Sequence, residues 1–174
     1  MESFCEDKDG GAERRANAAE AGQFPFAVIV SCSDSRVPPE IVFDQGIGDI
    51  FVVRTAGEVV DPIGLGSVEY AVAVLNVKLI VVLGHTDCGA VVAAVADYPA
   101  PGFIELVVEA IRPAVEKARR QQGDLLYNSI KENVNLNIYR IQSSPLIREA
   151  LATDCLKIVG AIYDMDDGHV KFLF

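Results

Sequence analysis

The chain has 174 residues, 51% of them hydrophobic, and carries a formal net charge of −10 at pH 7. That length fits one domain with a sizeable core, and the acidic balance argues against nucleic acid or an anionic membrane surface as partner. No apolar run approaches the ~20 residues of a membrane span, and the apolar surplus is expected to enter a subunit interface.

Residues 1–11 are polar and show no signal-peptide pattern, so a cytoplasmic or organelle-interior location is expected. The four Cys (Cys5, Cys32, Cys88 and Cys155) fit no small disulfide scaffold and are expected to stay reduced. Residues 12–21 hold good helix formers but few large apolar side chains, which predicts a weak, Ala-rich helix needing a docking surface. Gly22 closes it. Residues 1–22 thus read as an N-terminal helical arm and 23–174 as an α/β core, together a single domain.

The first strand is expected at 26–32, followed by a short helix from Pro39 to Phe43 with prolines at its start. Gly46 and Gly48 punctuate a loop before a second strand at 50–54. Asp61-Pro62 opens a loop into a helix at 65–76. The third strand, 79–84, leads into a helix that begins at Cys88 and runs through Val95. Pro99 and Pro101 break the chain there. Helices follow at 103–122, 125–141 and 145–153, from their apolar spacing and from Ser144-Pro145. The last strands are 156–163 and 170–173, joined by a polar turn and antiparallel to each other.

Strands alternating with helices predict an α/β fold with a mostly parallel sheet and helices on both faces. Strands one and three both end in chemistry-bearing residues, so they should be neighbours. That places strand two on the other flank of strand one, giving the order 2-1-3-4 with an antiparallel C-terminal edge strand. The carboxyl ends of strands one and three then flank a switch-point crevice, where open α/β sheets bind ligands.

Two stretches meet there, Cys32-Ser33-Asp34-Ser35-Arg36 and His85-Thr86-Asp87-Cys88-Gly89. Two thiolates and an imidazole form a donor set that suits zinc, and Cys88 stands at a predicted helix N-terminus, whose dipole favours a thiolate. Three protein ligands leave one position open, unlike a closed structural site. Asp34 and Asp87 are the candidates to enter it. Asp34 is favoured because it projects from the same strand end as Cys32, and Asp87 doubles as a helix cap. The two-residue spacing pairs Arg36 with Asp34. His169 sits in a polar turn and is expected to be solvated, and Cys5 and Cys155 lack partners at ligand spacing.

These paired motifs resemble the signature of the β-class carbonic anhydrases. The resemblance continues through Val37-Pro38-Pro39-Glu40, Phe51-Val52-Val53-Arg54-Thr55-Ala56-Gly57, Ser67-Val68-Glu69-Tyr70-Ala71 and the Tyr163-Asp164-x-Asp166-x-Gly168 turn, covering about residues 24–174. It implies Zn2+ on Cys32, His85 and Cys88, with Asp34 and Arg36 as a catalytic dyad and Asp34 as a fourth ligand in an inactive state. It implies reversible hydration of carbon dioxide to bicarbonate and a proton by a homodimer or a tetramer of dimers. Gln45 stands near a substrate-orienting Gln of the family, and Gly89, Phe43 and Val60 are expected to shape the substrate pocket. Arg54 matches the Arg of a regulatory bicarbonate site in some members, but the Trp of that site has no counterpart, because the chain contains none. Two alternatives remain open. One is hydrolysis of carbonyl sulfide or carbon disulfide on the same fold; the other is a non-catalytic, zinc-stabilised oligomer that binds bicarbonate.

Overall fold

The computed structural model describes residues 11–153 and 155–173. The expectations for residues 1–10, Cys5 among them, lie outside the described residues.

A five-stranded sheet forms the centre, with β1 at Ala27–Cys32, β2 at Ile50–Thr55, β3 at Leu79–His85, β4 at Lys157–Tyr163 and β5 at Val170–Leu173. Its order is β2-β1-β3-β4-β5. The first four strands run parallel, and β5 pairs antiparallel with β4. Every residue of β1, and all but the first of β3, is buried. Both faces of these strands are covered, so their sequences are continuous apolar runs rather than alternations.

The helices are α1 (Gly11–Ala21), α2 (Pro39–Val42), α3 (Pro62–Ala73), α4 (Gly89–Ala96), α5 (Ile104–Ala118), α6 (Leu125–Ser143) and α7 (Pro145–Ala152). They lie on both faces, unevenly. Val28, Val30, Ile80 and Val82 pack with α3, α6 and α7. Ala27, Ile29, Val81 and Leu83, at alternate positions and so on the opposite face, are covered by Val37, Val42, Phe43 and Met165.

The helix expected at 65–76 starts and ends three residues earlier. Asp61 caps it by accepting from Gly64 N–H at 2.7 Å, with Pro62 in its first turn. At the other end Asn76 takes a left-handed φ of 58°, which ends the helical run. The helix expected at 103–122 stops at Ala118. In α1, Arg15, Ala16, Ala19, Glu20 and Ala21 are exposed, as befits a helix without a strong apolar face.

Helix α6 carries the core. It lies close to the sheet because β3 and β4 present glycines beneath it. A Cβ at Gly84 would meet Val134 Cγ2 at 2.7 Å, and one at Gly160 would meet Val134 Cγ1 at 2.9 Å. This close approach lets α6 reach the loop behind the strand ends.

Candidate metal centre

Parallel neighbours β1 and β3 end side by side, with Ser31 opposite Leu83. Cys32 closes β1 and His85 closes β3. Between His85 and Cys88 the chain turns sharply, with Asp87 left-handed at φ 53°. Cys88 is thereby set at the N-terminus of α4, where its backbone rather than a side chain caps the helix. Asp87 does not serve as that cap.

The Cys32, His85 and Cys88 ligand atoms all lie within 4.8 Å of one another, and all three residues are buried. The two sulfurs are 4.0 Å apart. Two thiolates at 2.3 Å from a tetrahedral ion would sit about 3.8 Å apart. His85 Nδ1 donates to Thr86 O at 2.8 Å, which turns Nε2 toward the sulfurs as the free lone pair. That Nε2 is buried and has no hydrogen-bond partner. An orphaned buried acceptor facing two thiols fits a metal ion.

Proton affinities within the cluster agree. Cys32 is held well below the ordinary thiol range, first by the hydrogen bond from Cys88, then against burial by His85, Gly57 N–H and Asp34 N–H. Cys88 is pushed up because it donates to Cys32 and is buried. Burial pushes His85 down, but the nearby Cys32 sulfur and its charge outweigh that and leave His85 raised. Without an ion the three donors share protons that a cation would displace.

Asp34 and Arg36 form the expected pair. Arg36 Nε donates to Asp34 Oδ1 at 3.0 Å and Nη2 to Oδ2 at 2.8 Å, a two-pronged grip reinforced by Arg36 N–H on Oδ1. These bonds hold the Asp34 carboxyl well below the usual carboxylate range. Asp34 Oδ2 also lies 4.0 Å from His85 Nε2, so one oxygen faces the ligand cluster.

Arg54, the residue matching the Arg of that regulatory site, reaches the loop after β1. Its guanidinium donates to the carbonyls of Cys32 (3.0 Å), Asp34 (2.7 Å) and Val37 (3.3 Å), so it ties down the loop that carries the dyad.

The pocket residues separate. Gly89 opens α4 directly beside Cys88, exposed and with open space where a side chain would stand. Val60 lines an open cavity of about 390 Å³ with Thr55, Ala56, Leu106 and Ala110, and none of the three ligand residues lines it. Phe43 packs with Ala27, Ile29 and Leu83, on the face of the sheet opposite Cys32. Gln45 donates its Nε2 to Phe43 O at 2.7 Å. Within one chain, Phe43 and Gln45 therefore belong to a different surface from the thiols.

Sequence reasoning missed Glu58 and Asn133. Glu58 is fully buried beneath the cluster, and burial, helped by the Cys32 charge, pushes its carboxyl up to about 8. An acid inside the otherwise apolar stretch Ala56-Gly57-Glu58-Val59-Val60 was the available signal.

A family model described as carbonic anhydrase matches residues 27–170. The chain belongs to the β-carbonic anhydrase family. It is 50% identical to carbonic anhydrase 2 of Mycobacterium tuberculosis over 165 residues, 90% of this chain and 78% of that protein. To the carbonic anhydrase of Mycolicibacterium smegmatis it is 45% identical, over 92% of this chain and 80% of that one. A tetrameric β-carbonic anhydrase of Sordaria macrospora superposes with a TM-score of 0.84 at 29% identity, over 93% of this chain and 87% of the other. The chain is thus an enzyme of the carbonic anhydrase type, with a Cys–His–Cys group able to hold a metal. No helix among the described residues is long and apolar enough to cross a membrane.

Proposed function

We propose that this β-carbonic anhydrase is zinc-dependent and reversibly hydrates carbon dioxide to bicarbonate and a proton. Cys32, His85 and Cys88 are its zinc ligands. The observation that carries this is the buried, orphaned His85 Nε2 facing two sulfurs that stand 4.0 Å apart. Zinc held there acidifies a water and so supplies the nucleophile near neutral pH. Asp34 is positioned to accept a hydrogen bond through Oδ2 from a group at the open ligand position and so to orient it, while Arg36 keeps the carboxylate fixed and charged. Gly89, at the exposed head of α4, leaves room beside Cys88 for a small uncharged substrate.

Asp34 also has a second station. As pH falls, its carboxylate competes for the open position if it leaves Arg36, which would close the site. Arg36 opposes this with its two-pronged hold.

The working unit is a homodimer or a tetramer of dimers, with residues 23–174 as zinc-binding core. Support comes from the exposed side chains of Phe24, Phe26, Ile41 and Ile47, which leave apolar surface uncovered beside the Phe43 face. A neighbouring copy would bring Phe43 and Gln45 toward another subunit's site. Ligand thiolates require a reducing compartment, which supports a cytoplasmic location.

Metal analysis of the purified protein tests the assignment. One zinc per chain is expected, and a protein that takes up no zinc overturns the proposal.

A further inference from the structure

Behind Cys32 lies a buried polar ladder that none of these roles uses. Cys32 Sγ accepts hydrogen bonds from Gly57 N–H at 3.2 Å and Asp34 N–H at 3.4 Å. The nearer donor sits on an unusual turn, where Gly57 and Glu58 are both left-handed, at φ 65° and 44°. That region is disfavoured for a residue with a side chain, and at Gly57 a Cβ would stand 2.7 Å from Ile111 Cδ1.

Asn133 of α6 holds the turn. Its carboxamide nitrogen donates to Gly57 O at 2.8 Å and to Glu58 Oε1 at 2.7 Å, which spends both of its hydrogens. One helical turn on, Asn137 accepts from Val60 N–H at 3.0 Å and donates to Asn133 O at 3.0 Å. Four residues apart, the two asparagines share one helix face. Both are fully buried, as is Glu58. Asn133 Oδ1 and Glu58 Oε2 are left without hydrogen-bond partners. Two unpaired buried oxygens are a net cost to stability, so the arrangement is poorly explained as a stabilising contact. It is well explained as a way of aiming one N–H.

We propose that Asn133 is a positioning residue for the metal ligand Cys32: through Gly57 it fixes the N–H that the Cys32 sulfur accepts. An N–H on a thiolate draws charge from the sulfur, and outer-shell donors of this kind tune both affinity and the electronic character of a metal site. Glu58 is the acceptor that orients the Asn133 carboxamide. The inference rests on Cys32 being a zinc ligand.

The experiment compares wild type with Asn133→Ala, Glu58→Met and Asn137→Ala. The last loosens the same helix face without touching Gly57. Zinc affinity is read by chelator competition on the metal-free proteins, and the sulfur is read through the thiolate-to-metal charge-transfer band of the cobalt(II) forms. Asn133→Ala is expected to weaken zinc binding by roughly 10–100-fold and to move the band to lower energy, because the sulfur becomes more electron-rich. Asn137→Ala should leave band and affinity nearly unchanged. If Asn133→Ala does not fold by circular dichroism, Glu58→Met carries the test, with the same band shift and a smaller loss of affinity.

A wild-type band and affinity in Asn133→Ala, or in Glu58→Met where that variant carries the test, overturns the inference. So does an equal loss of zinc in Asn137→Ala, which would mark general loosening. Failure of the wild-type chain to bind zinc at all overturns the ligand assignment instead.

Discussion

Asp34 gives both carboxylate oxygens to Arg36, at 3.0 and 2.8 Å, yet keeps Oδ2 4.0 Å from His85 Nε2. One carboxylate is thus shared between a fixed cation and the edge of the metal cluster. Arg36→Ala should let Asp34 swing to the ion and lower kcat/KM by at least tenfold, with zinc content unchanged. Asp34→Ala should lose a similar factor while leaving the ligand position open. Wild-type kcat/KM in either variant across the pH range would remove the dyad from the mechanism.

The same pair gives a pH prediction with a definite sign. Hydrogen bonds from Arg36 hold the Asp34 carboxyl well below the usual range, so it stays ionised throughout the neutral and mildly acid region. Protonation of Asp34 therefore does not cause the acid-side loss of activity. That loss follows the open ligand position, where Asp34 competes better as pH falls, so kcat should rise from roughly pH 6 to 9. In Asp34→Ala the acid limb should become shallower. A kcat profile that is flat in the wild-type enzyme would rule the competition out.

Cys88→Ala removes one of three ligands at the head of α4 and should leave little bound zinc. Because binding energy at such a site is partly folding energy, the variant should also melt lower than the zinc-loaded wild type. Metal analysis and thermal unfolding on the same preparations check both effects. Full occupancy with full activity would refute the ligand set.

Glu58 predicts a stability change in the metal-free protein. Burial raises its carboxyl from 4.5 to about 8, so the folded state binds a proton that the unfolded state releases between those values. Its contribution to stability is present below about pH 4.5 and is lost as pH rises toward 8. Cys32, whose pKa is lowered, acts in the opposite direction over much of that window. The difference between wild type and Glu58→Gln isolates the carboxyl. The wild-type urea midpoint should drop relative to that of Glu58→Gln as pH rises from about 4.5 to about 8, and parallel curves would show that Glu58 is not the titrating group.

Much of this site was legible because its parts are local. Cys32 and His85 each end a continuous apolar run, and such runs announce buried parallel strands whose carboxyl ends meet. The Asp34–Arg36 pair spans two residues and reads directly from the chain. What escaped was long-range or a matter of parity. Glu58 and Asn133 are 75 positions apart and meet only because Gly84 and Gly160 let α6 approach the sheet. Phe43 lies close to the motif in sequence, yet it packs on the opposite face from Cys32. The early start of α3 was encoded in Asp61-Pro62, a cap followed by a first-turn proline, which reads equally well as a loop.

The central claim is that the Cys32–His85–Cys88 site, loaded with zinc, hydrates carbon dioxide. Stopped-flow hydration on zinc-loaded protein, repeated after chelation and after zinc is restored, tests it most directly. The account predicts a rate proportional to bound zinc, lost with the chelator and regained with the metal. Zinc-replete protein that hydrates carbon dioxide no faster than buffer would contradict it, and turnover of carbonyl sulfide or carbon disulfide by that same protein would assign the site to hydrolysis instead.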